Sequence, residues 1–184
     1  MWGWTGYYSV VSSANDVLKA IRTAKIVINN AADTKRAETV ALMMRGAALA
    51  NLALEYDKGY IVDETTDLTK LAYSNRKKMR DAALADLVAA AALAKANSFT
   101  TSAAWTNGTG YSNTQFAQIA NTMAAMLLAN WPRTSAENGQ VAWATVAGYA
   151  AQGMSSGTPF DFIFSGDGCS AFCPEVLYWF DGFD

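Results

Sequence analysis

Apolar residues recur at spacings of three and four along most of this chain, and no stretch of useful length alternates apolar with polar. That period suits an α-helix with one buried stripe. It does not suit a strand, whose side chains change face at every residue. The chain is therefore expected to be all-α, with antiparallel helix pairs as its unit.

Five segments carry the period. In the first, Tyr7, Val10, Val11, Ala14, Val17, Leu18, Ile21, Ala24 and Ile28 form a stripe, opposite Ser9, Ser12, Asp16, Lys19 and Thr23. The second runs from about Lys35 to Tyr56 and is apolar nearly all round, so it should lie between other helices, its alanines allowing close approach; Gly59 follows as a stop signal. The third begins after Ser74, with Leu84, Leu87, Val88, Ala91 and Ala94 on one face and Lys77, Lys78, Asp81 and Lys95 solvated. A Ser112–Gln115 capping box opens the fourth, whose stripe is Phe116, Ile119, Ala120, Met123 and Leu127. It should end at Trp131, because a residue before proline is driven out of the helical region. The fifth, from Gln140 to Gln152, should bury Trp143, Val146, Ala147 and Ala150, with Gly153 at its end.

Two long connections, "DKGYIVDETTDLTKLAYS" and "NSFTTSAAWTNGTGYS", separate these segments, and the second holds an Asn107-Gly108 turn between Trp105 and Tyr111. Connections of this length are more often functional than idle. From Met154 the period fails. Residues 1–153 read as a helical scaffold, and 154–184 as an irregular, aromatic-rich segment that starts a further C-terminal portion. Isolated, the chain is expected to expose apolar surface around Phe160 to Phe183 and to self-associate.

Composition narrows the chemistry. At 184 residues the chain can bury a proper core, and at 52% hydrophobic it is far from a disordered composition. A net charge of −2 with no basic stripe argues against a nucleic-acid partner. With no histidine, neither a Ser-His-Asp triad nor an imidazole metal site can be built. Cys169 and Cys173 have neither CxxC spacing nor a second pair; a short-loop disulfide and two unrelated thiols both remain open. No basic run precedes an apolar core at the N-terminus, so no secretory signal is read there, and the longest apolar runs are interrupted by Asp86 and Lys95.

Candidate residues have plainer readings beside the functional ones. Asp63, Glu64 and Asp67 could form a glycosidase carboxylate pair or hold calcium; a solvated acidic loop is preferred. Arg45, inside an apolar helix, is read as a structural tie between helices and a loop, and Asn15 likewise. Met43, Met44, Met123 and Met126 are read as core filler. No cofactor or metal is expected, and no hydrolase activity.

The stretches "WTGYYSVVSSANDVL", "ALMMRGAALANLALEYDKGYIVDE", "RKKMRDAALADLVAAAALA" and "FAQIANTMAAMLLANWPRTSAENGQVAWATVAGYAAQGM" follow one another in an order that resembles the SusD/RagB-like outer-membrane nutrient-binding lipoproteins. The first is similar to that family's first helix, and the second to its next, with an Arg, small residues, a Tyr and a glycine turn. The third and fourth resemble the helices that follow. The likeness spans roughly Trp4 to Phe164. It implies a TPR-like scaffold of antiparallel pairs with long loops, at the cell surface of the outer membrane. It also implies binding of a glycan or other small nutrient beside a SusC-like TonB-dependent transporter. Family members are longer, start with a lipoprotein signal and continue past this C-terminus, so the chain is expected to match their N-terminal helical part. A structural or assembly role on a helical-repeat scaffold is the alternative.

Trp2 and Trp4 are expected to precede the first helix, set apart by Gly3 and Gly6. Flat indole faces suit the C–H faces of sugar rings. Trp2 and Trp4, joined by Trp105, Asn107 and Tyr111 from the long loop, are the candidate ligand-binding platform; the plainer reading is that both indoles pack under the further C-terminal portion.

Overall fold

The computed structural model describes residues 2–105, 108–154 and 160–162, without the side chains of Trp2 and Trp105. Six helices dominate them: α1 (Trp2–Arg22), α2 (Ala31–Glu55), α3 (Arg76–Ala96), α4 (Asn113–Asn130), the single turn α5 (Ser135–Asn138) and α6 (Trp143–Ala151). The fold is all-α. Its one sheet among the described residues is a two-residue antiparallel ribbon, β1 (Lys58–Gly59) against β2 (Ser74–Asn75), pairing Lys58 with Asn75 and Gly59 with Ser74.

Successive long helices pack side by side. α1 lies on α2, α2 on α3, α3 on α4, and α4 on α6. The directions alternate: Tyr7 near the start of α1 meets Glu55 at the end of α2, whereas Arg36 near the start of α2 meets the Thr100 carbonyl beyond α3. α2 is the inner member, with residues from Thr34 to Ala53 buried all round its axis, as its unbroken apolarity led one to expect. Small residues set the spacing of α2 and α3. A Cβ added at Gly46 would stand 3.0 Å from Leu87 Cγ and 3.1 Å from the Ala83 carbonyl oxygen, so the helices approach almost to backbone contact.

Local signals account for most helix ends. Asn30 caps α2 by accepting from the Asp33 amide, and Asn75 caps α3 through Lys78. At α4 the capping box is complete: the Ser112 hydroxyl accepts from the Gln115 amide while the Gln115 side chain accepts from the Ser112 amide. α4 does stop at Pro132, but by another route than expected. Trp131 keeps helical dihedrals (φ −65°, ψ −38°), so the helix ends because proline has no N–H to extend the ladder. Gly153 is held tightly, since a Cβ there would meet the Thr122 hydroxyl at 2.5 Å.

Other expectations need correction. The stripe of α1 buries Val11, Ala14, Leu18 and Ile21, but Val17 and Ile28 are each 36% exposed and the helix ends before Ala24. Val88 on α3 and Met126 on α4 are also exposed. α6 buries none of Trp143, Val146, Ala147 or Ala150, and Trp143 is 50% exposed. Among the described residues only α4 flanks α6, so a helix with apolar residues all round has cover on one side at most. Phe160 and Phe162, expected at the surface, instead pack half-buried against Tyr111. Cys169 and Cys173 lie outside the described residues.

Candidate functional site

The loop between α2 and α3 is laid along α1 by three side chains spaced seven apart. The Tyr8 hydroxyl donates to the Tyr60 carbonyl (3.0 Å) and accepts from the Tyr60 amide (2.5 Å). Asn15 Nδ2 donates to the Val62 carbonyl (3.1 Å), and Arg22 Nη1 to Glu64 Oε1 (2.7 Å). Seven residues are close to two helical turns, so all three project from one face of α1. Gly59 lies closely packed just ahead of this seam: a Cβ there would meet Met79 Sδ at 2.6 Å and the Tyr8 hydroxyl at 2.8 Å, so one of these side chains would have to shift.

The seam ends in a buried charge network. Arg45 grips Asp86 of α3 with two bonds (2.7 and 2.8 Å), donates to Glu64 Oε2 (2.5 Å) and to Asn15 Oδ1 (2.8 Å), and its side chain is 7% exposed. Arg22 joins Glu64 to Glu38 (2.9 Å), which also accepts from Lys35 (2.8 Å). Arg45 and Asn15 are therefore structural ties, as their sequence context indicated. Glu64 is not part of a solvated loop: its side chain is 8% exposed and paired twice.

This arrangement decides what the acids can do. Burial opposes ionisation of Glu64 and Glu38, but hydrogen bonds from Arg22, Arg45 and Lys35 outweigh it and hold both below the usual carboxylate range. Asp63 is lowered as well, its partial burial outweighed by bonds from Thr66 and Thr65; Asp67 is lowered by the Thr69 hydroxyl. A glycosidase acid needs the opposite shift, a raised pKa. Among the described residues no group of three or more acids or cysteines is placed to hold a metal ion, and no helix is long and apolar enough to cross a membrane.

The same shifts fix a pH dependence. A carboxylate with a depressed folded pKa contributes stability above its unfolded value, near 4.5 for glutamate, and loses it as pH falls through the folded value. Thermal melts should show little effect of Glu38 and Glu64 from pH 7 to 5, then a falling Tm below about pH 4.5. Glu64→Gln should flatten that acid limb. A Tm that rises on acidification would contradict the pairing.

Beside the seam, at the end where α1 begins and α2 finishes, lies an open cleft of about 480 Å³ lined by Trp4, Tyr56, Asp57, Lys58 and Tyr73. Trp4 meets Tyr8 (ring centroids 4.8 Å apart), Tyr56 (4.9 Å, edge to face) and Tyr60 (6.4 Å). Tyr60 stacks on Tyr73 at 4.4 Å and 18°, and Tyr73 is 56% exposed. The β1–β2 ribbon brings Tyr73 beside Lys58, whose Nζ stands 5.2 Å from the ring centroid. At the same end of the bundle Tyr7 donates to Glu55 (2.6 Å), an interaction that, with burial, pushes its pKa up to about 12.

The cleft differs from the expected platform. Trp4 lies inside α1, not before it, and shares its surface with tyrosines from the second helix and the loop after it. Trp2 opens α1 and Trp105 closes the 3-10 turn Ala103–Trp105; their side chains, and Asn107 entirely, lie outside the described residues. Tyr111 is 1% exposed, its hydroxyl donating to the Asp161 carbonyl (3.0 Å). Its loop sits at the opposite end of the bundle. From Glu55, beside Tyr7, to Arg36, beside Thr100, α2 rises about 28 Å at roughly 1.5 Å per residue. Trp4 and Tyr111 therefore do not share one platform. Tyr56 was read only as the end of the second helix, and Tyr60 and Tyr73 were missed because they stand singly in the connection after it, which has no period.

Two other grooves are aliphatic. One of about 610 Å³ runs between α1 and α2, past Val10, Val17, Ile28, Val40 and Met44. The other, about 370 Å³, lies between α2 and α4, with Leu54, Met123, Met126 and Phe162. Comparison with known proteins gave no match to a family model, a curated protein or a solved structure.

Proposed function

We propose that this protein is a non-catalytic binding protein for a glycan or other small ring-bearing nutrient, and that the Trp4–Tyr56–Tyr73 cleft receives it. The observation that carries the reading is the set of aromatic rings lining one open cleft, with charged groups at its rim. Such rings offer apolar faces to sugar C–H groups and leave hydroxyl tips for hydrogen bonds. The pairing of Glu64 and Glu38 with arginines, which keeps them ionised, supports binding without hydrolysis.

The SusD/RagB-like motif order extends the proposal to setting. The chain is the helical, TPR-like part of a cell-surface lipoprotein of the outer membrane, acting beside a SusC-like TonB-dependent transporter in nutrient uptake. Calorimetric titration with an oligosaccharide panel tests the binding claim. One member should bind, and Tyr73→Ala should weaken it about tenfold or more, the loss of roughly 1.4 kcal/mol, with Tm unchanged because the ring is half in solvent. Equal affinity in wild type and Tyr73→Ala would remove the cleft from consideration.

A second reading is favoured by a separate observation. Ile26 (52% exposed) and Val27 (66%) stand at the α1–α2 turn, and Ile28 there also lines the aliphatic groove between these helices. A helical-repeat scaffold with such faces serves as an assembly element. Sedimentation separates the readings: a defined oligomer that binds no saccharide supports assembly.

A further inference from the structure

The rim of the aromatic cleft is not electrically neutral. Of its lining residues, Asp57 and Lys58 are charged. Asp57 Oδ1 accepts from Arg133 Nη1 at 2.6 Å, and Arg133 is itself fixed by donating to the Leu54 carbonyl at 2.7 Å. The Asp57 charge is thus answered by an arginine anchored to the end of α2. Glu55, one turn back, accepts from the Tyr7 hydroxyl and does not line the cleft. Lys58 has no ion pair among the described residues; its ammonium stands over Tyr73, 5.2 Å from the ring centroid. Lys58 is thus the one charged residue lining the cleft that no opposite charge among the described residues pairs.

Backbone geometry keeps it there. Lys58 is in β1, paired opposite Asn75, and Tyr73 directly precedes β2, so the ribbon holds the two backbones side by side and keeps the ring within reach of the lysine. The Arg76 amide also donates to the Asp57 carbonyl at 3.0 Å, which ties the residue before Lys58 to the start of α3. A lysine held this way is placed like a charge clamp beside a stacking surface. Tyr60 stacks on Tyr73 and the ammonium stands over the same ring, so a saccharide in the cleft lies beside the lysine, where a uronate carboxylate can meet the ammonium.

We infer that the cleft selects an acidic saccharide, a uronate-bearing glycan, with Lys58 pairing its carboxylate; this rests on the cleft being the carbohydrate-binding surface. A partly exposed ammonium–carboxylate pair is worth a modest factor, about fivefold, and is weakened by salt. Oligogalacturonate and its methyl ester are matched probes, identical in ring faces and hydroxyls and differing at C6 alone, where the ester lacks the charge and carries a methyl group.

Both probes would be titrated calorimetrically into the 184-residue chain and into Lys58→Gln at low and high salt, with thermal melts confirming folding. The expected result is about fivefold tighter binding of the free acid at low salt. That preference should vanish in Lys58→Gln and shrink in high salt. Equal binding of acid and ester by wild type, or a preference that survives Lys58→Gln, would overturn the selectivity and leave the cleft as a neutral-sugar site. Binding of neither probe, with Tyr73→Ala also without effect on any saccharide of the panel, would overturn the cleft reading and this inference together.

Discussion

Arg45→Met is expected to destabilise the fold by about 3–5 kcal/mol, because it leaves Asp86 buried without its cation and takes from Glu64 one of its two arginines. For a chain of this size that is a Tm loss of roughly 10 °C, at about 2–4 °C per kcal/mol. The loss should be largely recovered when Asp86→Asn and Glu64→Gln are added, since the triple variant buries no unpaired charge. Burial works against the Arg45 charge, yet Asp86 and Glu64 outweigh it and raise its pKa, so the guanidinium stays charged at any ordinary pH. A single variant with wild-type Tm would mean that water, not Arg45, satisfies the two acids.

The second large effect lies between α2 and α3. Gly46→Leu should cost about 3 kcal/mol, the upper end of overpacking, since its Cβ alone would sit 3.0 Å from Leu87 Cγ and 3.1 Å from the Ala83 carbonyl, and backbone cannot yield as a side chain does. Gly46→Ala should be far milder. Its crowding is offset by the roughly 1 kcal/mol that alanine gains over glycine in a helix interior. Denaturant melts of the two variants give the comparison. Equal stabilities would show that α3 can move away freely.

The parts of this fold that were legible in the sequence are those written in a local period or cap. The stripe through Val11, Ala14, Leu18 and Ile21 and the Ser112–Gln115 box are of this kind. α2 was legible as a sandwiched helix because its apolarity wraps the whole axis. The same reasoning misjudged α6, for an apolar pattern says which residues are apolar and not how many neighbours arrive to cover them. Glu64 looked like one of three loop acids because its partners Arg45 and Arg22 lie 19 and 42 residues away. The seven-residue spacing of Tyr8, Asn15 and Arg22 was visible, but nothing local tied it to Tyr60, Val62 and Glu64.

The candidate site was half legible. A cluster of rings at the chain start drew attention to Trp4, which lies inside α1, partly buried against the core and beside Tyr8, Tyr56 and Tyr60. Its true companions are brought by a ribbon of two residues per strand, far too short to leave a period-two signature. Tyr111 was misplaced because an aromatic next to a glycine turn reads as exposed, whereas its ring fills the space against Phe160 and Phe162.

Side-chain NMR of the labelled chain during titration with oligogalacturonate distinguishes these placements in one experiment. Binding at the cleft requires saturable shifts of the Trp4 indole, the Tyr56 and Tyr73 rings and the Lys58 ammonium, with Tyr111, about 28 Å along α2, undisturbed. Shifts centred on Tyr111 and its loop, or none at Trp4 and Tyr73 at saturating sugar, would place the binding surface elsewhere.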